Sequence, residues 1–244
     1  MAIRYRFELA DQAQPLEYII ATGQGETGTT RAAEPARWTR LAYHQCSNCP
    51  LDKDQDARCP AAVDIQQVVE DFSALPATQR VTVTVESPAR QYHKITGLEE
   101  GLRSLMGLLM ANCACPILNK LKPMAYTHLP FASQEEFIIR SVGTYLLRQY
   151  FHHQADHQAD WTLHGLVELN NELQLVNQAM WQRVNAGCEG ESNLKALLSF
   201  FAMASSVSYS LEAQLQKVRH AFMAESDISP YEGVRPSNQE SSLP

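Results

Sequence analysis

The chain is predicted to be an α+β protein, with an N-terminal antiparallel sheet and two helices followed by a C-terminal antiparallel helical bundle. Three observations predict this. Apolar and polar residues alternate with period two in Ile3 to Leu9 and again in Arg80 to Glu86, the pattern of half-buried strands. From Ser133 onward the apolar residues recur three and four apart, the spacing of one helix face. Three boxes with Asp, Thr or Ser followed three residues later by Gln or Glu, at Asp64, Thr96 and Ser133, mark helix starts.

Taken in order, Ile3 to Leu9, Leu16 to Ala21 and Trp38 to Tyr43 are expected as short strands, the last two separated by a loop containing Gly23, Gly25 and Gly28. That loop lacks the Lys-Ser/Thr ending of a phosphate loop. A helix is expected from Asp64 to about Leu75, ended by Pro76. Arg80 to Glu86 and Gln91 to Ile95 flank Ser87-Pro88-Ala89 as a hairpin, and Thr96 opens a helix to about Cys113. Beyond Ser133, Phe137, Ile138, Val142, Tyr145, Leu146 and Tyr150 form one helical face, and a second helix is expected from about Trp161 to a turn at Gly187 and Gly190. A third carries the seam Leu194, Leu197, Phe201, Ala204, Ser208, Leu211, Leu215, Val218 and Phe222, a spacing that packs helices at a shallow angle. This divides the chain into a Cys-rich α+β region at 1–125, a three-helix bundle at 126–225 and a disordered tail at 226–244.

Composition narrows the function classes. The 244 residues are 45% hydrophobic and 19% charged, and 20 Lys and Arg against 27 Asp and Glu leave a net charge of −7. An acidic chain without a basic run lacks the footprint that phosphate binding needs, so neither nucleic acid nor an anionic membrane is expected as a partner. Met1 to Glu8 contains no uninterrupted apolar stretch, so a cytoplasmic location is expected, where thiols stay reduced. The expected partner surface, for another protein or a second copy, is the helical region at 161–225.

Six cysteines in a reducing compartment point to metal or redox chemistry where they cluster. Cys46 and Cys49 form a C-x2-C turn, Cys59 follows a polar run, and Cys113 and Cys115 end a helix. A C-x2-C turn aims two sulfurs at one ion or cluster. The expected metal ligands are therefore Cys46, Cys49, Cys59 and Cys115, with Cys113, His44 and His128 as secondary candidates and Cys188 as a bystander. Cys49, Cys59 and Cys115 each precede Pro, and Leu105 to Met110 supplies an apolar surround. Both features favour an iron–sulfur cluster over zinc, although a tetrahedral zinc accepts the same thiolates. The competing explanation, four buried apolar cysteines, fits poorly with a loop that holds Asp52, Lys53, Asp54, Asp56 and Arg58.

The His-rich stretch His152, His153, His157 and His164 is expected as a hydrated linker, because no Glu-x-x-His pair accompanies it. His128 reads either as a buried, hydrogen-bonded histidine or as an acid–base group beside the cysteines.

The order His44-x-Cys46-x2-Cys49-Pro-Leu51, Cys59-Pro60, Cys115-Pro116, Lys122-Pro-Met-Ala125 and His128-Leu-Pro-Phe-Ala132 resembles an uncharacterised bacterial domain family of unknown function. The resemblance spans roughly residues 1 to 225. It implies that the cysteines and the His128 segment share one folded unit, and it places Cys115 ahead of Cys113; it brings no activity, cofactor or partner. The function expected from the residues is a metal-binding protein in redox sensing, electron transfer or protein interaction. A zinc-stapled interaction protein without catalysis is the alternative, and a metal-dependent enzyme using His44 or His128 a further one.

Overall fold

A computed structural model describes residues 1–10, 13–22, 34–188, 195 and 211–223. The chain is α+β, as its patterning predicts. Strands β1 (Ala2–Leu9) and β2 (Leu16–Ala21) form one hairpin, and β3 (Arg80–Ser87) and β4 (Arg90–Gly97) a second; the sheet order is β2-β1-β3-β4, antiparallel throughout. The alternation dictates its two faces. Ile3, Tyr5, Phe7, Leu9, Tyr18, Ile20, Val81, Val83 and Val85 are buried on one side. On the other, Arg4, Arg6, Glu8, Glu17 and Glu86 make exposed ion pairs, which contribute little to stability.

Helices α1 (Pro60–Asp71) and α2 (Leu98–Asn112) pack into the same core as the buried face. Phe7 packs against Phe72, just after α1, with ring centroids 5.0 Å apart and the rings tilted by 60°. In α2, Gly101 passes so close to the sheet that a Cβ there would lie 2.8 Å from Phe7 Cε1 and 3.0 Å from Val83 Cγ2. A short 3-10 turn at Leu118–Leu121 leads into α3 (Lys122–Tyr126), α4 (Gln134–Gln154) and α5 (His164–Gly187). The start of α5 joins a small cluster in which Ile138 and Leu166 are surrounded by Phe137, Val142, Tyr145, Leu163, Leu211 and Leu215. Its second half, through Leu173, Val176, Met180 and Val184, enters the core of the sheet.

Several boundaries differ from the sequence expectation, each for a physical reason. Trp38 to Tyr43 is not a strand. Arg37–Thr39 is a 3-10 turn, Arg40 makes a single bridge to Arg58, and the carbonyls of Trp38, Arg40 and Leu41 accept from a buried arginine instead of a neighbouring strand. Helix α1 begins at Pro60 rather than Asp64, because Pro at the first helical position is pre-set for the helix and Cys59 precedes it in extended backbone. Asp64 therefore lies within α1, where burial raises its pKa to about 6. Gly97, not Thr96, precedes α2; the Thr96 hydroxyl donates to Glu100. The Ser133 box forms as expected, Ser133 Oγ accepting from Glu136 N–H and Glu136 from Ser133 N–H. Helix α5 starts at His164 after Leu163 in left-handed backbone. Because α4 ends at Gln154 and Asp156 has positive φ, His153 and His157 share no continuous helix. The loop with Gly23, Gly25 and Gly28, the seam positions from Leu194 to Ser208 and the tail at 226–244 lie outside the described residues, and with them much of the expected partner surface. No described helix is long and apolar enough to cross a membrane.

The Gly101→Ala substitution is expected to lower stability by about 1–3 kcal/mol, since neither Phe7 nor Val83 has room to yield in the core. Urea unfolding of wild type and variant checks this.

Candidate functional site

The four expected ligands come from three segments. The Cys46–Cys49 turn is closed by Cys49 N–H donating to Cys46 O at 3.1 Å and is tied to α5 by Asn48 Nδ2 donating to Glu172 O at 3.0 Å. Gln45 braces it further by donating to Leu51 O. Cys59 precedes α1, its N–H donating to Thr39 O at 2.8 Å. Cys115 lies in the turn after α2, its carbonyl accepting from Asn119 N–H. Cys59, Cys113 and Cys115 are buried, while Cys46 and Cys49 are half-buried; all are free thiols.

These thiols interact electrostatically. Burial pushes the Cys46 thiol up to about 12, and the charges of Cys59, Cys49 and Cys115 add to the shift. Cys59 is also raised by burial, with Cys115 adding to it, while Arg183 and the backbone N–H groups of Ala62 and Ala61 favour its thiolate. Cys115 is shifted the other way, because the Cys113 thiol donates to it and the amides of Leu118 and Ile117 face it. Cys113 is correspondingly raised, and its Sγ lies 3.0 Å from Met110 O, the alternative acceptor for its one hydrogen. That places Cys113 beside Cys115 as a supporting donor. Among the described residues, no three His, Cys, Asp or Glu side chains stand at the spacing that one ion needs.

Arg183, which sequence reading did not single out, sits under this group at 1% exposure. Its guanidinium donates to the carbonyls of Trp38 (2.6 Å), Arg40 (2.5 Å), Leu41 (3.3 Å) and His44 (3.4 Å). Burial lowers its pKa, and Cys59, Cys46 and Cys49 partly offset that by favouring its charged form. The signal available in the sequence was an arginine on the core face of α5, between Met180 and Val184.

His44 begins the loop at positive φ, its ring edge-on to Tyr43; it is exposed. His128 is not with the thiols. Its Nε2 lies 2.6 Å from Tyr5 Oη, which lies 2.7 Å from Ser104 Oγ, and Ser104 Oγ accepts from Phe131 N–H. Ser104 and Asn112 are separated by about 12 Å of helix axis, so this network and the cysteines occupy different parts of α2. Burial, with Arg140 adding to it, lowers the pKa of His128 to about 3, and burial holds Tyr5 well above its ordinary value. The neutral ring and the Tyr5 hydroxyl share this hydrogen bond. Cys188 is raised to about 11 by burial and by Glu70, away from the other thiols.

Fold and side chains together define an α+β protein with four interacting thiols braced by a buried arginine. The chain belongs to a family of domains of unknown function, DUF6901, whose model matches residues 3–223. No curated protein and no solved structure matches it.

Two outcomes follow. Arg183→Met leaves the carbonyls of Trp38, Arg40, Leu41 and His44 without their charged donor, the Trp38 and Leu41 bonds being fully buried, and is expected to cost about 3 kcal/mol or more, read by thermal unfolding. For His128, the unfolded chain takes up a proton below 6.5 that the folded ring refuses until about 3. This contribution to stability is present above 6.5 and lost as the pH falls through that window. His128→Gln keeps a hydrogen-bonding partner for Tyr5, so its loss of stability down to about pH 4 is expected to be smaller by on the order of 3 kcal/mol.

Proposed function

We propose that Cys46, Cys49, Cys59 and Cys115 ligate an iron–sulfur cluster and that the protein acts in redox sensing or electron transfer. The observation that carries this reading is the electrostatic coupling of Cys46 to Cys59, Cys49 and Cys115, brought together from three separate segments. Packed closely in a poorly solvated site, the thiols cannot all ionise unaided, and a bound cationic group removes that obstacle while displacing protons. A single zinc with bonds of about 2.3 Å draws its four sulfurs to roughly 3.8 Å from one another. An iron–sulfur cluster, in which each thiolate binds its own iron, accepts the same four thiols, and the Pro that follows Cys49, Cys59 and Cys115 favours it. The apolar core around Cys59 and Cys115 and the Arg183 charge are further features of the kind that set a cluster's potential. The half-buried Cys46 and Cys49 leave an edge near the surface for electron exchange with a partner protein.

Protein purified without oxygen is expected to contain iron and acid-labile sulfide and to absorb in the visible, and Cys46→Ser and Cys59→Ser are expected to lose both. One zinc per chain without colour would replace this reading with a zinc-stapled interaction protein. Finding neither metal would overturn both and leave the cysteines as core residues.

A further inference from the structure

A second site lies between α2, α3 and the start of α4, distinct from the cysteines. It is a cavity of about 90 Å³ with a mostly apolar wall, including Leu108, Met124 and Phe137, and no Asp or Glu lines it. Its polar wall includes Arg103, Arg140, Ser104 and His128. Ser104 and His128 are already engaged with Tyr5, and Arg103 pairs with Glu100 at 3.6 Å.

Arg140 differs from these. Its Nη2 donates to Met124 O at 2.8 Å and Thr127 O at 2.9 Å, which fixes the guanidinium plane, whereas its Nε–H is buried without an acceptor. Glu136, the carboxylate that acts on Arg140, already accepts from the Ser133 amide. A buried donor of this kind is normally satisfied in a folded protein. A second, separate feature marks the same place. Phe131, on the cavity wall, is held at φ 59, with its N–H on Ser104 and the Lys94 ammonium 5.6 Å from its ring centroid. A bulky residue in left-handed backbone persists only where its surroundings enforce it, and such positions concentrate at ligand sites.

We propose that this cavity binds a short-chain aliphatic monocarboxylate, with the carboxylate accepting from Arg140 Nε–H and the chain lying against Leu108, Met124 and Phe137. The charge sign follows from a desolvated guanidinium in a wall without acids. The cavity is partly open to solvent and holds about 90 Å³, less than the roughly 150 Å³ that accommodates benzene, so a chain of about four carbons fills its walled part and a longer one would reach into water. A phosphate would surrender more hydration to so apolar a wall than a carboxylate does.

The test uses the full chain and butyrate, followed by saturation-transfer NMR and calorimetry. Saturable binding is expected, weaker by about tenfold or more for butyramide, which keeps the shape without the charge, and for Arg140→Gln, which removes the charge-assisted hydrogen bond. Because Arg140 also ties down α3, Ala132→Leu serves as a second variant: it fills the cavity from its wall and is expected to abolish binding with unchanged thermal unfolding. Butyrate that fails to bind, butyramide that binds equally well, or wild-type affinity in both variants would overturn the proposal. Cys46→Ser is expected to bind butyrate as the wild type does, which separates this site from the reading of the thiols.

Discussion

The burial of one charge, the Arg183 guanidinium, organises the half of the protein that carries the cysteines. A charge taken out of water is tolerated only when its hydrogen-bonding capacity is met. Here it is met by the carbonyls of Trp38, Arg40, Leu41 and His44. The dependence runs both ways. A segment that leaves the sheet still has backbone acceptors to satisfy, and the arginine supplies donors that no neighbouring strand provides. Residues 38–44 therefore take an irregular path across α5, which brings the following Cys46–Cys49 turn against that helix, where Asn48 fastens it to Glu172 O.

The other two thiols arrive by more regular means. Pro60 starts α1 directly after Cys59, and α2 delivers Cys113 and Cys115 at its C-terminal end. Backbone amides facing Cys59 and Cys115 offer partial positive charge to the sulfurs; burial resists ionisation at both, Cys115 adds to that at Cys59, and the Cys113 thiol favours the thiolate at Cys115. Ionisation is therefore opposed at Cys46 and Cys59 and favoured at Cys115. The guanidinium beneath these thiols stays in place in either protonation state, because its bonds are to backbone.

Helix α2 links the two sites. Its N-terminal half presents Ser104 to Tyr5 and the neutral His128, and its C-terminal end carries the cysteines. The Tyr5–His128 contact fastens the centre of the sheet to the segment between α3 and α4, so the wall of the apolar cavity is anchored to a central strand. Helix α5 ties its start to α4 through Leu166 and its end to the sheet core through Met180 and Val184.

The strands β1 to β4, the Ser133 helix start and the Cys46–Cys49 turn were legible in the sequence, because alternation, capping boxes and C-x2-C spacing are local and act through neighbours a few residues apart; the approach of Cys115 to the other thiols was not. The exact start of α1, the fate of Trp38 to Tyr43 and the separation of His128 from the thiols were not. Each depends on a partner far along the chain: Arg183 for the loop, 139 to 145 residues away, and Tyr5 for His128, 123 residues away. Sequence alone determined which segments alternate, which side chains have the chemistry to bind a metal and which helix faces are apolar, since these follow from residue type and period. Only the tertiary structure decided which buried polar groups satisfy one another. Hydrogen-bond partners across a core are chosen by how the faces pack, and no local pattern encodes that choice.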